Sequence, residues 1–292
     1  MLLQFLSIWD IINANIFSFG RSRPEGRKHS MAKVHFLGTC SGTEPMADMH
    51  HCSLVIEVNG AYYWFDAGEN CAHRAYTSGI DVLKTQAVFV SHPHIDHVGG
   101  LANLLSCMKK LVTRYKTPMD NNNSLQIFFP DERLLDAIIT VCNGTDPEST
   151  LHFDLVRHGL ADGVLFEDKN VRVSAVHNRH LGEDGSSGWH SYSFLIEAEG
   201  KRIVFSGDVK SYSELDLFVD GGCDLLIGET GHHKVADVCD YVVSHGVKRM
   251  YFNHHGREIL NDRDGCEGYV KDFSENCGIP IAIATDGLTI EI

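Results

Sequence analysis

The segment SHPHIDHVGG, residues 91–100, holds three histidines and one aspartate within six positions. An apolar run at 87–90 leads into it, and an amphipathic run at 98–110 follows it. This succession predicts a buried strand, a loop and a helix. Open α/β proteins place their sites at the carboxyl ends of strands, so the segment favours an α/β fold with a polar site at the end of this strand.

The residue types in this loop predict a metal site. His92 and His94 point to one side because side chains alternate along an extended segment, and Asp96 and His97 turn the other way where the helix begins. One short loop therefore offers ligands to two adjacent metal ions. Histidines cluster by chance in a chain that has 18 of them. Four ligand-type side chains between a buried strand and a Gly-Gly helix start nevertheless favour metal binding.

The composition is that of a soluble globular protein, since 43% of the 292 residues are hydrophobic and 22% are charged. The formal net charge of −14 argues against non-specific binding to nucleic acid or to an anionic membrane. The nine cysteines include no CxxC pair, which indicates free thiols in a reducing compartment. We therefore expect a cytoplasmic protein without a disulfide framework.

The first thirty residues differ from the rest of the chain. Residues 1–20 are apolar but contain Asp10, and the basic residues at 21–28 follow the apolar run instead of preceding it as in a secretory signal. The run is too short for a membrane span, and an interfacial helix with a basic tail is one alternative. We predict that residues 1–30 are a disordered or mis-started extension. We expect residues 31–292 to form a single domain with no stable membrane association.

Apolar runs and turn signals predict two β-rich halves with helices outside them. Asn59-Gly60, between two alternating apolar runs, is a hairpin signal. The predicted strands cover residues 34–37, 54–58, 62–65, 87–90, 126–129, 164–166, 171–176, 192–197, 203–205, 224–228, 250–252, 281–284 and 288–292, and the predicted helices cover 71–77, 98–110, 130–141, 235–244 and 268–273.

Further candidate ligands come directly after three later strands. His180 is the first choice after one strand, with His177 in reserve. Asp208 follows the next strand in a Gly-Asp pair, which is either a turn or a carboxylate that bridges two cations. His254 comes before His255 after a third strand and is preferred for that reason. Together with the first loop, these residues make one set at the ends of apolar strands.

The pattern HxHxDH at 92–97, followed by a histidine, a Gly-Asp and a final histidine after strands, resembles the metallo-β-lactamase fold. The segments FLGT at 36–39 and FDAGE at 65–69 are similar to those of one branch, ribonuclease Z and its phosphodiesterase relatives. The resemblance covers residues 34–258. It implies an α/β fold, an αββα sandwich in which helices flank two mixed β-sheets, with a di-zinc cleft at one edge.

The resemblance also implies roles for individual residues. His232 would assist the leaving group, with His233 in reserve. Asp66 would fix the tautomer of an imidazole that binds metal. The histidine-rich set favours zinc, with Mn²⁺ or Fe²⁺ as alternatives. One zinc ion would be held by His92, His94 and His180 and the other by Asp96, His97 and His254, with Asp208 bridging the two.

The chain departs from ribonuclease Z in one interval. That family commonly carries a long Gly/Pro-rich arm that grips transfer RNA between the third histidine and the bridging aspartate. Here only residues 181–190 precede the next strand. The arm is not evident, which together with the charge of −14 argues against a transfer-RNA substrate. The basic stretch 109–116 is more typical of a solvated helix face than of an RNA track.

These features predict a di-zinc hydrolase that cleaves a phosphodiester in a small nucleotide or an RNA. Two zinc ions would lower the pKa of a shared water, so that a metal-bound hydroxide forms near neutral pH. Asp96 would orient this nucleophile, and His232 would donate a proton to the leaving oxygen.

Two alternatives use the same site. One is hydrolysis of a thioester, a lactone, another small ester or a β-lactam, because one fold supports many chemistries. The other is a metal-binding or nucleotide-binding sensor without catalysis. Relatives of this branch are often dimers, so the resemblance leaves a homodimer open.

Overall fold

The computed structural model describes residues 31–144, 151–182 and 188–292, and the extension predicted over residues 1–30 lies outside them. The described residues contain two β-sheets of seven strands each. The first sheet consists of β1 (Lys33–Gly38), β2 (Ser53–Val58), β3 (Ala61–Ala67), β4 (Thr85–Phe89), β5 (Ser124–Phe128), β6 (Asp154–His158) and β14 (Thr289–Glu291). The second sheet consists of β7 (Gly163–Glu167), β8 (Val171–His177), β9 (Tyr192–Ala198), β10 (Lys201–Phe205), β11 (Leu225–Glu229), β12 (Met250–Asn253) and β13 (Ile281–Ile283).

Both sheets are mixed, as predicted, and they follow the same plan. The strand order in the first sheet is β14-β1-β2-β3-β4-β5-β6, with antiparallel pairs up to β3 and parallel pairs from β3 onwards. The order in the second sheet is β13-β12-β11-β10-β9-β8-β7, with antiparallel pairs from β7 to β10 and parallel pairs from β10 to β13.

Helices cover the outer face of each sheet, and the inner faces pack against each other. Phe65, Phe89 and Phe194 meet between the sheets, with ring centroids 5.0 to 5.9 Å apart. Separate apolar clusters lie under the helices on the two outer faces. The layers therefore form the predicted αββα sandwich. The helices are α1 (Cys71–Thr77), α2 (Ile95–Val98), α3 (Leu101–Tyr115), α4 (Glu132–Asn143), α5 (Asp216–Val219), α6 (Val235–Ser244), α7 (Arg257–Asn261) and α8 (Arg263–Cys277), with 3-10 turns at Val82–Lys84 and Tyr212–Leu215.

Two predictions of local structure were wrong. Strand β6 was missed, because it is a largely exposed edge strand with the polar sequence DLVRH and lacks the apolar pattern of a core strand. The single helix predicted over 98–110 is instead divided at Gly99-Gly100 into α2 and α3. In the described ranges, no helix is long and apolar enough to cross a bilayer.

Candidate metal centre

The loop that carries the HxHxDH motif lies at the carboxyl end of β4. This strand is parallel to both of its neighbours, β3 and β5. The loop packs closely on the chain after β3: a Cβ on Gly100 would lie only 2.1 Å from the carbonyl oxygen of Gly68. The Gly-Gly pair thus allows the close approach that holds the motif against its own sheet.

Four ligand-type side chains converge on one side of this loop: His92, His94, His180 and Asp208. Nδ1 of His94 lies 3.1 Å from Nε2 of His92 and 3.2 Å from Nε2 of His180. The Oδ2 atom of Asp208 lies 3.7 Å from both of those Nε2 atoms. Three imidazole nitrogens and one carboxylate oxygen form a set that suits a zinc ion.

Asp96, His97 and His254 form a second group, and all three are buried. Nε2 of His254 lies 3.1 Å from Oδ2 of Asp96, and Nε2 of His97 lies 3.4 Å from the same oxygen. The seven residues predicted as metal ligands are therefore brought together in two adjacent groups.

Asp208 lies between the two groups and turns one oxygen to each. Its Oδ1 atom lies 3.4 Å from Nε2 of His97 and 3.3 Å from Nδ1 of His254. These three atoms are buried and have no hydrogen-bond partner in the part of the chain that the structure describes. Buried polar atoms without partners are costly, and a cation among them would satisfy all three. The donor set therefore fits two metal ions that share Asp208.

Burial keeps two histidines of the first group neutral. It lowers the pKa of His92 well below its ordinary value and lowers the pKa of His180 to about 4. A neutral imidazole is the form that binds a metal ion, so both side chains are ready to act as ligands at neutral pH.

Asp66 sets the tautomers of two imidazoles. It is the extra residue of a β-bulge in β3, and its φ of 61° is unusual for a residue with a side chain. Its Oδ2 atom accepts hydrogen bonds from Nδ1 of His97 (2.7 Å) and from Oγ of Ser91 (2.8 Å). The Ser91 hydroxyl accepts in turn from Nδ1 of His92 (3.0 Å). Both rings thus turn Nε2 towards the site.

The loop after β8 brings His180, and not the reserve candidate His177, into the first group. His177 donates from Nδ1 to Oδ2 of Asp162 (2.7 Å) and stacks on Trp189, with ring centroids 4.0 Å apart. The Oδ1 atom of Asn178 accepts from the backbone N–H of His180 (3.1 Å) and holds the loop that carries this histidine.

After β12, His254 and His255 have different surroundings. His254 has a φ of 48° and lies in the second group. The reserve candidate His255 donates from Nε2 to the carbonyl of Ala284 (2.8 Å), and its backbone N–H donates to the carbonyl of Thr39 (2.7 Å). Burial lowers the pKa of His255 to about 3. His255 is therefore a neutral core residue that anchors the loop.

His232 lies beside the two groups and is oriented by Glu229. Its Nδ1 atom donates to Oε1 of Glu229 (3.0 Å), and its backbone N–H donates to Oε2 (2.9 Å). This hydrogen bond raises the pKa of His232 and leaves Nε2 for a ligand. The reserve candidate His233 instead donates from Nε2 to the carbonyl of Val209 (2.9 Å).

Glu229 was not predicted as a site residue from the sequence. It ends the apolar strand β11 and is 1% exposed. The sequence does show an acidic residue at the end of an apolar run. Because a buried carboxylate needs a partner, this position could have been identified as a candidate for the site.

A cleft of about 510 Å³ lies over both groups. Two glycines in its wall have no space for a side chain: a Cβ would lie 2.9 Å from the Asp96 carboxylate at Gly42, and 2.6 Å from the His254 ring at Gly231. The glycines allow two loops to close directly on the candidate ligands.

The chain matches a known family over most of its length. The family model described as "Anti-Pycsar protein Apyc1" matches residues 32–264. This range includes all seven candidate ligands.

Known relatives and solved structures bear out the predicted fold. The ribonuclease Z of Shouchella clausii is 30% identical over 172 residues, which are 58% of this chain and 49% of that protein. The chain spans about half the length of the first curated relatives it matches. The metallo-β-lactamase fold protein YhfI from Bacillus subtilis superposes with a TM-score of 0.67 at 15% identity, covering 90% of this chain and 100% of that one. The short form of human tRNase Z gives a TM-score of 0.67 at 20% identity, covering 89% and 99%. The metallo-β-lactamase fold is confirmed, and the curated relatives include ribonuclease Z sequences, in line with the predicted resemblance.

Proposed function

The chain belongs to the Anti-Pycsar protein Apyc1 family, and from this premise we propose that it is a di-zinc phosphodiesterase acting on a small nucleotide. The observation that carries the proposal is the position of Asp208 between two ligand groups, where three buried polar atoms have no partner among the described residues. The ribonuclease Z of Shouchella clausii, a relative that is named for cleavage of RNA, supports a phosphodiester as the bond attacked.

Seven residues would hold the two ions in the arrangement described above. The predominance of histidine favours zinc over manganese or iron. When bound, the ions would supply Lewis acidity and positive charge opposite the phosphate oxygens. One ion would take His92, His94 and His180, the other Asp96, His97 and His254, and both would share Asp208.

Side chains of the cleft would orient the attacking water and donate a proton to the leaving group. The Asp96 carboxylate lines the cleft and accepts hydrogen bonds, so it would orient the attacking water. His232 would donate a proton from Nε2 to the leaving oxygen. Glu229 accepts from the opposite nitrogen of that ring and would stabilise the imidazolium before the proton is transferred.

The size of the cleft and the net charge of the chain favour a small substrate over transfer RNA. A cleft of about 510 Å³ is in the range of small-molecule sites. The net charge of −14 opposes a long polyanion, and only residues 181–190 occupy the interval where ribonuclease Z carries its arm.

Hydrolysis of bis(p-nitrophenyl) phosphate, with and without chelator, tests the chemistry. We expect chelator to abolish turnover and Asp208→Ala to lower kcat/KM by at least about 100-fold, because Asp208 would hold both ions. Asp220→Ala, which removes an exposed aspartate after α5, is the matched control and should retain full activity. Metal-independent turnover, or full activity in Asp208→Ala, would overturn the proposal.

A panel of cyclic nucleotides, dinucleotides and precursor transfer RNA tests the substrate class. We expect the small nucleotides to be cleaved faster than the transfer RNA. Faster turnover of a lactone or thioester than of every phosphodiester in the panel would contradict the proposal.

A further inference from the structure

We propose that Arg257 binds the phosphate group of the substrate and that Glu44 positions its guanidinium group. This inference rests on the proposed function, because it assigns a recognition residue to the same cleft. Arg257 lines the cleft together with Asp96, Asp208 and His254, and no other lysine or arginine of the described chain lines it. A guanidinium group binds phosphate with strong, charge-assisted and frequently bidentate hydrogen bonds.

The chain before Arg257 is held firmly to the site. The backbone N–H of His255 donates to the carbonyl of Thr39 (2.7 Å). Gly256 packs so closely that a Cβ would lie 2.3 Å from the carbonyl oxygen of Thr230. Arg257 follows this segment and begins α7, so its backbone position is fixed relative to His254.

Glu44 fixes the other end of the side chain. Nη1 of Arg257 donates to Oε1 of Glu44 (2.9 Å), and Nη2 donates to Oε2. A guanidinium group has five N–H donors, and this end-on pair uses two of them. The Nε–H and the second N–H groups of the two Nη atoms remain. The Nε and Nη edge has the spacing that binds two phosphate oxygens at once.

This ion pair contributes little to the stability of the fold. The side chains of Arg257 and Glu44 are 53% and 60% exposed, and exposed ion pairs contribute little to folding. The pair joins the loop after β1 to the start of α7 beside the candidate ligands, where a charge that is fixed in place favours an anion that enters the cleft.

The test compares variants of the zinc-loaded, full-length protein on bis(p-nitrophenyl) phosphate, with inorganic phosphate as a competitive inhibitor. We expect Arg257→Gln to lower kcat/KM about 10- to 100-fold and to raise the Ki of phosphate about tenfold, because charge-assisted bidentate bonds are lost. Arg257→Lys keeps the charge but not the planar fork, so it should remain within a few-fold of Arg257→Gln. An unchanged phosphate Ki in Arg257→Gln would overturn the proposal.

Arg133→Gln is the matched control, because Arg133 also pairs with a carboxylate, Asp131, but does not line the cleft. It should leave kcat/KM and phosphate Ki unchanged. Glu44→Gln should raise KM and phosphate Ki about threefold with little change in kcat, since Arg257 keeps its charge but loses its alignment. Tighter phosphate binding in Glu44→Gln would show that Glu44 competes with phosphate for Arg257, and it would overturn the positioning role of Glu44.

The two proposals fail in different ways. If the wild-type protein cleaves no phosphodiester, the proposed function fails, and calorimetric titration of wild type and Arg257→Gln with inorganic phosphate decides the inference alone. If the wild type is active and Arg257→Gln has the same kcat/KM and phosphate Ki, the inference fails and the proposed function stands.

Discussion

The Nδ1–H group of His97 donates a hydrogen bond of 2.7 Å to Oδ2 of Asp66, and both side chains are fully buried. The same oxygen accepts from the Ser91 hydroxyl, which holds the ring of His92. One carboxylate therefore controls an imidazole in each of the two ligand groups. The loss of this carboxylate would therefore disturb both groups of candidate ligands at once.

Replacing Asp66 with asparagine should weaken metal binding. The Oδ1 atom of Asp66 also accepts from the backbone N–H of Ser91 (2.6 Å). An amide has only one acceptor oxygen, so its NH₂ group would face either this N–H or the donors of Ser91 and His97, and part of the network would be lost. We expect the zinc affinity of Asp66→Asn to fall about 10- to 100-fold, as for other partners of metal-bound histidines. A competition titration against a chromophoric chelator measures this. Asp168→Asn, at a carboxylate that accepts from Tyr63 outside the ligand groups, should keep wild-type affinity.

Removing the metal should destabilise the fold. Among the residues that the structure describes, the buried atoms Asp208 Oδ1, His97 Nε2 and His254 Nδ1 have no partner when no cation is bound. A ligand present at 1,000 times its Kd stabilises the folded state by about 4 kcal/mol. Scanning calorimetry should therefore show a clearly lower Tm after chelation, and zinc should restore it. An equal chelator-induced shift in Asp208→Ala would argue against this site as its origin.

Replacing Glu229 with glutamine should affect poor leaving groups selectively. Glu229 accepts a hydrogen bond from Nδ1 of His232, the proton donor of the proposed mechanism, and proton donation matters only when the leaving oxygen is basic. We expect Glu229→Gln to lower kcat about 100-fold on a nucleotide with an alkoxide leaving group. On bis(p-nitrophenyl) phosphate, the effect should stay within about threefold. Equal losses on both substrates would show a structural role for Glu229 instead.

His35 should make stability depend on pH far from the cleft. Burial lowers its pKa below the ordinary value of 6.5, although its hydrogen bond to Glu57 opposes the shift. Below that pH the unfolded chain binds more protons than the folded chain, so the stabilisation is complete above about pH 6.5 and is lost as the pH falls. Urea unfolding at about pH 7.5 and 5.5 should show a smaller loss in His35→Gln than in the wild type. An equal loss in both would refute the assignment.

The sequence was sufficient to predict the layered fold and the strand ends at which the candidate site lies. Asp208 and His254 follow apolar strands directly, and the carboxyl ends of such strands are where polar side chains collect. The choice between His177 and His180 depended on more distant contacts. Trp189 and Asp162 hold His177 away from the ligand groups, and a ring stack across a loop leaves no periodic signal in the sequence.

Other residues could not be placed because their role depends on tertiary structure. Glu229 contacts His232, three residues later, because the loop turns the imidazole back onto the carboxylate. Strand β6 is held by pairing with β5 at an exposed edge, and edge strands need little of the apolar pattern that identifies core strands.

The pairing of β14 with β1, in which Glu291 lies opposite Lys33, is a long-range contact in the sheet that carries the motif loop. The residues of the metal centre are likewise distant in the chain, because His254 follows the motif loop by eight strands. Such long-range pairing is slow to form, and a ribosome adds only about 5–20 residues per second. The motif loop is therefore exposed to solvent for many seconds before His254 is synthesised. Binding of metal by all seven candidate ligands would then have to follow the synthesis of His254, so an ion that arrives earlier would meet an incomplete set of ligands.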